Sequence, residues 1–194
     1  MYFDLPMIVR MVFDLKVIKA LWRIHRIFRQ DRKYKFWHLG LAIYEMLKGE
    51  KIVRYRGEYI IHTFMPPFPS AAFFTYLKAV PNPGENFTQQ SFLRRTAPFS
   101  FHLSITNKCQ YNCLHCSTDK QSSSRELTAP EWKRVINEIQ EMQTAYIGLT
   151  GGEPLLRDDL DEILAAIDKT VSAVFLVTNG MNLTAEKAVN LREK

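Results

Sequence analysis

The spacing of apolar positions changes character near the middle of this 194-residue chain. From Ile8 to Arg29, the residues Ile8, Met11, Leu15, Ile18, Trp22 and Phe28 roughly follow helical spacing, while Lys16, Lys19, Arg23 and Arg26 recur at three and four on another face. That pattern predicts one cationic amphipathic helix. The stretch "FWHLGLAIYEMLKG" predicts a second helix, with Gly49 as its C-cap. "KIVRYRGEYIIHTF" is β-branched and aromatic, and reads as a hairpin with Gly57-Glu58 at its two-residue turn. "MPPFPS" follows as a proline-stiffened connector, "SAAFFTYLKAV" as a short helix and "PNPGENFTQQS" as a turn-rich linker.

Beyond the linker the pattern becomes regular. "FSFHLSIT" reads as a strand, and "LTAPEWKRVINEIQEM" as a helix opened by Thr128, Pro130 and Glu131 at capping-box spacing. A strand "AYIGLT", a helix "RDDLDEILAAIDKT", a strand "VSAVFLVT" and a capped helix from Thr184 complete the series. Three consecutive strand-helix units predict an α/β fold with a parallel sheet and right-handed crossovers. A complete eight-unit barrel takes about 250 residues, so this part of the chain holds about three units. Because the sequence stops inside a helix, the expectation is a barrel core cut short, with its last strand as an unpaired edge.

Composition and charge divide the chain at the same place. With 46% hydrophobic and 24% charged residues the composition is globular, so a buried core is expected and wholesale disorder is not. The net charge of +6 is uneven: residues 1–98 hold 16 Lys and Arg against 7 Asp and Glu, and residues 99–194 hold 10 against 13. Two pieces are expected, a basic, mainly helical N-terminal region with a hairpin over 1–98, and the strand-helix series over 99–194. The basic helix reads first as a solvated face on a packed helix; contact with a membrane surface or a nucleic acid is the alternative, and of these a nucleic-acid partner is not expected. Asp4, Arg10 and Asp14 interrupt the first apolar run, so no signal peptide is read. The longest uncharged run, Tyr59 to Leu77, contains His62, Pro66, Pro67 and Pro69 and does not read as a membrane span. Three clustered cysteines make a poor disulfide framework, and a reducing, cytoplasmic setting is expected.

All three cysteines fall within "NKCQYNCLHC", as Cys109, Cys113 and Cys116. On a continuous helix they would share a face and could be three buried thiols. Yet Asn107, Lys108, Gln110, Asn112 and His115 interleave them with polar groups at the end of a strand, where parallel α/β folds place ligand loops. Zinc would need a fourth ligand such as His102, and no second cysteine pair is present. Three thiolates can instead hold three irons of a 4Fe-4S cluster, leaving the fourth iron open to an exogenous ligand.

The spacing Cys109-x3-Cys113-x2-Cys116 after a first strand resembles the signature of radical S-adenosylmethionine enzymes. Two further motifs occur in the family's order. Gly151-Gly152-Glu153-Pro154 after the second strand is similar to the family's GGEP, and Thr178-Asn179 after the third is similar to its polar residues near the cosubstrate. The resemblance implies a 4Fe-4S cluster on the three cysteines and S-adenosyl-L-methionine bound by His115, Gly151, Gly152, Glu153, Pro154, Thr178 and Asn179. Glu153 and the adjacent backbone would receive the methionine amine, and His115 would stand where an aromatic residue usually faces the adenine. It also implies a barrel-like core and reductive cleavage to a 5′-deoxyadenosyl radical, with a flavodoxin or ferredoxin as reductant. The run "TNKCQYNCLHC" is most similar to the branch of peptide maturases and haem-pathway enzymes, whose substrates are peptides or tetrapyrroles. The competing expectation is an inactive fragment that binds a cluster or a partner.

Overall fold

The structure, a computed structural model, describes residues 4–29, 35–62, 65–77, 97–118 and 125–193. The chain forms two compact units, Met1–Pro98 and Phe99–Lys194.

In the first unit the expected single N-terminal helix is two: α1 spans Leu5–Val12 and α2 spans Leu15–Phe28. Asp14 makes the break. Its backbone is extended (ψ 117°), and its carboxylate accepts from the Lys16 backbone N–H at 2.9 Å, capping α2. The same carboxylate accepts the Tyr59 hydroxyl at 2.9 Å, which, with the Lys16 N–H, holds Asp14 below the usual carboxylate range. The break also changes which face of the helix is inside. Val17, Ala20 and Ile24 are buried, whereas Leu15, Ile18 and Trp22, expected on the apolar face, are exposed.

Helix α3 follows at Phe36–Leu47, and Gly49, at φ 83°, takes the left-handed conformation that ends it. Strands β1 (Val53–Tyr55) and β2 (Glu58–Ile60) pair antiparallel with Tyr55 opposite Glu58. The turn is therefore Arg56-Gly57, one residue earlier than the expected Gly57-Glu58. Both turn residues have positive φ, 49° and 82°, as a type I′ turn requires. The connector after β2 folds back, and Phe68 bridges Tyr59. Ser70 then caps α4 (Ala71–Tyr76) by accepting the Phe73 N–H at 3.0 Å. The core of this unit gathers around Ile24, Ile52, Tyr59, Phe68 and Phe73. The end of "SAAFFTYLKAV" and the linker "PNPGENFTQQS" lie outside the described residues.

The second unit is a three-stranded parallel sheet in the order β3 (Ser100–Thr106), β4 (Tyr146–Gly151), β5 (Ala173–Leu176). Helices α5 (Ala129–Glu141), α6 (Leu160–Ala165) and α7 (Ala185–Glu193) follow the strands in turn. The expected capping box forms at α5, where Glu131 accepts from both the backbone N–H and the hydroxyl of Thr128. Alternation in β3 turns Leu103 and Ile105 toward the helices, where they join Ile136, Ile139, Ile147, Leu149 and Ile163 in one core. On the other face the Phe175 ring lies across Gly148, where a Cβ would overlap it, and packs 4.9 Å from the Tyr146 ring. Because the strands are parallel, the segments leaving Thr106, Gly151 and Leu176 all emerge at one edge.

Candidate functional site

That edge carries the three motifs, and backbone hydrogen bonds tie the first two together. The register of β3 against β4 shifts after Ser104, which sets Thr106 opposite Gly151. Gly152 N–H then donates to the Thr106 carbonyl at 2.7 Å, and Glu153 N–H to the Lys108 carbonyl at 2.8 Å. The exit of the cysteine loop returns to the same turn, the Thr118 hydroxyl donating to the Gly151 carbonyl at 3.1 Å. Both glycines are dictated by this approach. A Cβ on Gly151 (φ 127°) would overlap the Thr106 carbonyl oxygen, and one on Gly152 the Lys108 carbonyl oxygen.

Glu153 joins the third motif. It is fully buried, and its carboxylate accepts from Leu155 N–H (2.9 Å), the Thr178 hydroxyl (2.7 Å) and Asn179 N–H (2.7 Å). Asn179 in turn reaches the cysteine loop: its side-chain oxygen accepts from the Gln110 amide at 3.2 Å, and its amide nitrogen lies 3.9 Å from Cys109 Sγ. Gly151, Gly152, Glu153, Thr178, Asn179 and Cys109 thus form one connected group. Pro154 is buried behind it at the start of a short 3-10 turn, Pro154–Leu156.

The rest of the loop is open. Cys113 and Cys116 are exposed, Cys109 is half-buried, and all three are free thiols. The loop is not helical, which excludes the reading of three thiols buried on one helix face. The Cys116 N–H donates to the Cys113 carbonyl at 3.2 Å, and Tyr111 N–H points at Cys109 Sγ at 3.4 Å. His115 is exposed and stands outside the network around Glu153, and Leu114 beside it is wholly exposed. Among the described residues the thiols are not drawn into a group of three metal-ligating side chains. His102, the candidate fourth zinc ligand, packs its ring 5.0 Å from Phe175 instead.

Two residues that hold the loop's root were not singled out from the sequence. Glu126 accepts the Thr106 hydroxyl and the Asn107 N–H, each at 2.8 Å. Burial pushes its carboxyl up, but those two hydrogen bonds and the Arg157 charge outweigh it and hold the group below its usual value. Arg157 donates to the carbonyls of Ile105 and Leu127 and forms a two-pronged pair with Asp159. Its position directly after "GGEPLL" was the available signal, whereas Glu126 lies 19 residues from its backbone partner Asn107 and announces itself by no local pattern.

The second unit is similar to known proteins. Residues 103–194 match the family model of the Radical SAM superfamily. That part of the chain is thus similar to the radical SAM superfamily. The chain is also similar to a PqqA peptide cyclase of Streptomyces rochei, 32% identical over 100 residues, which are 50% of this chain and 28% of that protein. The crystal structure of Streptococcus suis SuiB bound to precursor peptide SuiA shares 19% identity over 48% of this chain and 21% of its own, at a TM-score of 0.43. The chain therefore spans about a quarter of the length of the curated relative it matches.

Proposed function

We propose that this chain is the initiating part of a radical S-adenosylmethionine enzyme acting on a peptide, with Cys109, Cys113 and Cys116 holding a 4Fe-4S cluster. The observation that carries this reading is the connected edge. Glu153 bridges the ends of β4 and β5, and Asn179 bridges β5 to the cysteine loop.

The donor set suits the cluster. Three free thiols occupy a non-helical loop whose two ends are fastened while its middle is exposed, so the thiols can turn toward a common centre without unfolding the sheet. When bound, such a cluster supplies one electron and an open iron at which S-adenosylmethionine is cleaved. The chain's own residues prepare the place. The glycine pair lets the β4 turn lie flat against the loop's root, and backbone carbonyls are acceptors of the kind an ammonium group needs. Thr178 and Asn179 present polar groups at the same edge, and His115 stands free to face an aromatic ring. Closure of the sheet into a barrel, a cytoplasmic setting and a flavodoxin or ferredoxin reductant complete the proposal. Among the described residues no helix is long and apolar enough to cross a membrane. The peptide substrate rests on the similarity to the PqqA peptide cyclase.

The test is anaerobic reconstitution with iron and sulfide, followed by electron paramagnetic resonance of the reduced protein with and without S-adenosylmethionine. The expected result is a cluster signal that changes on adding the cosubstrate, and a Cys113→Ala variant that takes up no stable cluster because two thiolates remain. Unchanged iron content in that variant sinks the assignment.

A further inference from the structure

Helix α2 carries two apolar stripes, and its own unit consumes only one. At about 100° per residue, Val17, Ala20 and Ile24 share one side of the helix, and Leu15, Ile18 and Trp22 share nearly the opposite side. The first three are buried, at 3%, 4% and 6% exposure, while the second three stand 71%, 38% and 66% exposed. Helix α1 adds to the uncovered set: Leu5 and Val9, one turn apart, are exposed, as is Phe13 at the junction between the helices. Isolated exposed apolar side chains are ordinary; six on two consecutive helices are not.

The charges beside them say what kind of surface would cover them. From Leu5 to Arg29 the only acidic residue is Asp14, and it is taken up by Tyr59, Lys16 N–H and, at 3.6 Å, Arg54. Lys19, Arg23 and Arg26 occupy the side of α2 next to the uncovered stripe, and Arg29 follows Trp22 two turns on. Arg23 lays its guanidinium over the Phe74 ring at 3.9 Å. Lys19, Arg26 and Arg29 are exposed and have no carboxylate partner among the described residues. A nucleic acid would satisfy these cations and leave Leu15, Ile18 and Trp22 in water. A second copy would cover the apolar stripe but set like charges against each other. An anionic bilayer satisfies both, with apolar side chains and an indole at the headgroup boundary and cations on the phosphates.

We propose that α1 and α2 form an in-plane docking face for an anionic lipid bilayer, holding the basic unit to a membrane surface without crossing it. This goes beyond the reading of the cysteine edge and is independent of it.

The test is sedimentation of the full chain with vesicles of phosphatidylcholine alone and of phosphatidylcholine mixed with phosphatidylglycerol. The chain is expected to sediment with the mixed vesicles and not with the neutral ones, and its tryptophan emission to shift to the blue. The shift should disappear in Trp22→Phe, while Trp37 and Trp132 still report. Leu15→Ser with Trp22→Ser, and separately Lys19→Glu with Arg26→Glu, should each weaken partitioning by about tenfold or more. All four side chains are exposed, so circular dichroism of the variants should be unchanged. Equal sedimentation of either double variant, or no sedimentation of the parent chain, overturns the proposal. So does a parent dimer that the Leu15/Trp22 variant converts to monomer without any vesicle binding, which assigns the face to a second copy. None of these outcomes alters the cluster test above.

Discussion

Glu153 shows how much one side chain can hold. A carboxylate offers only acceptors, and here every partner is a donor: a backbone N–H beside it, a hydroxyl and a backbone N–H from the end of the next strand. An amide of the same shape presents one acceptor oxygen and one NH2, so Glu153→Gln must set a donor against a donor on one side. The cost is expected at about 1–3 kcal/mol, read in denaturant unfolding, because a buried polar group loses its partner. If Glu153 serves mainly by holding Thr178 and Asn179, their backbone amide resonances shift in Glu153→Gln before any cosubstrate is added, and the cosubstrate response weakens while cluster uptake persists. Unmoved resonances with a lost response would instead make the carboxylate a direct acceptor for the methionine amine. That these motifs meet at one edge was legible because each follows a strand of the parallel series. Glu126 and Arg157 were not, since their meaning lies in which backbone carbonyls and N–H groups they meet after folding.

Among the elements, the parallel series was readable because strands and helices of different period alternate, and the capping box of α5 appeared where Thr128 and Glu131 place it. The N-terminal helix was misread for a specific reason: apolar spacing continues across residue 14, where Asp14 caps a new helix and also accepts the Tyr59 hydroxyl, a long-range bond that no local window contains. The hairpin turn slipped by one residue because a positive φ at Arg56 is uncommon for a residue with a Cβ. The turn between β4 and Glu153 gives the sharpest element-scale prediction. In Gly152→Ala the added Cβ meets a backbone oxygen, not the mobile end of a side chain, so the turn must lift off the cysteine loop. Loss of the 2.7 Å and 2.8 Å bonds to Thr106 and Lys108 is expected, seen as faster hydrogen exchange at Gly152 and Glu153, together with reduced iron uptake. Retained exchange protection and full iron uptake would show that the close approach is dispensable.

At the scale of the whole molecule, the charge shift near residue 98 pointed to two pieces, and each unit encloses a core of its own. Ile24 and Tyr59 belong to one core; Ile136, Ile147 and Ile163 belong to the other, and among the described residues none is common to both. Substitutions that remove buried volume should therefore act locally. Ile163 is fully buried between the sheet and its helices, so Ile163→Ala leaves a cavity and is expected to cost about 2–5 kcal/mol. Independent sites without common partners add, so that loss should speed amide exchange in β3, β4, β5, α5 and α6 and leave α2 and the β1–β2 hairpin unchanged. Ile24→Ala should do the reverse, at the expense of α2 and the hairpin. Faster exchange in both units from either substitution would mean that the two cores unfold as one, and the cysteine edge would then depend for its stability on the basic unit as well as on its own sheet.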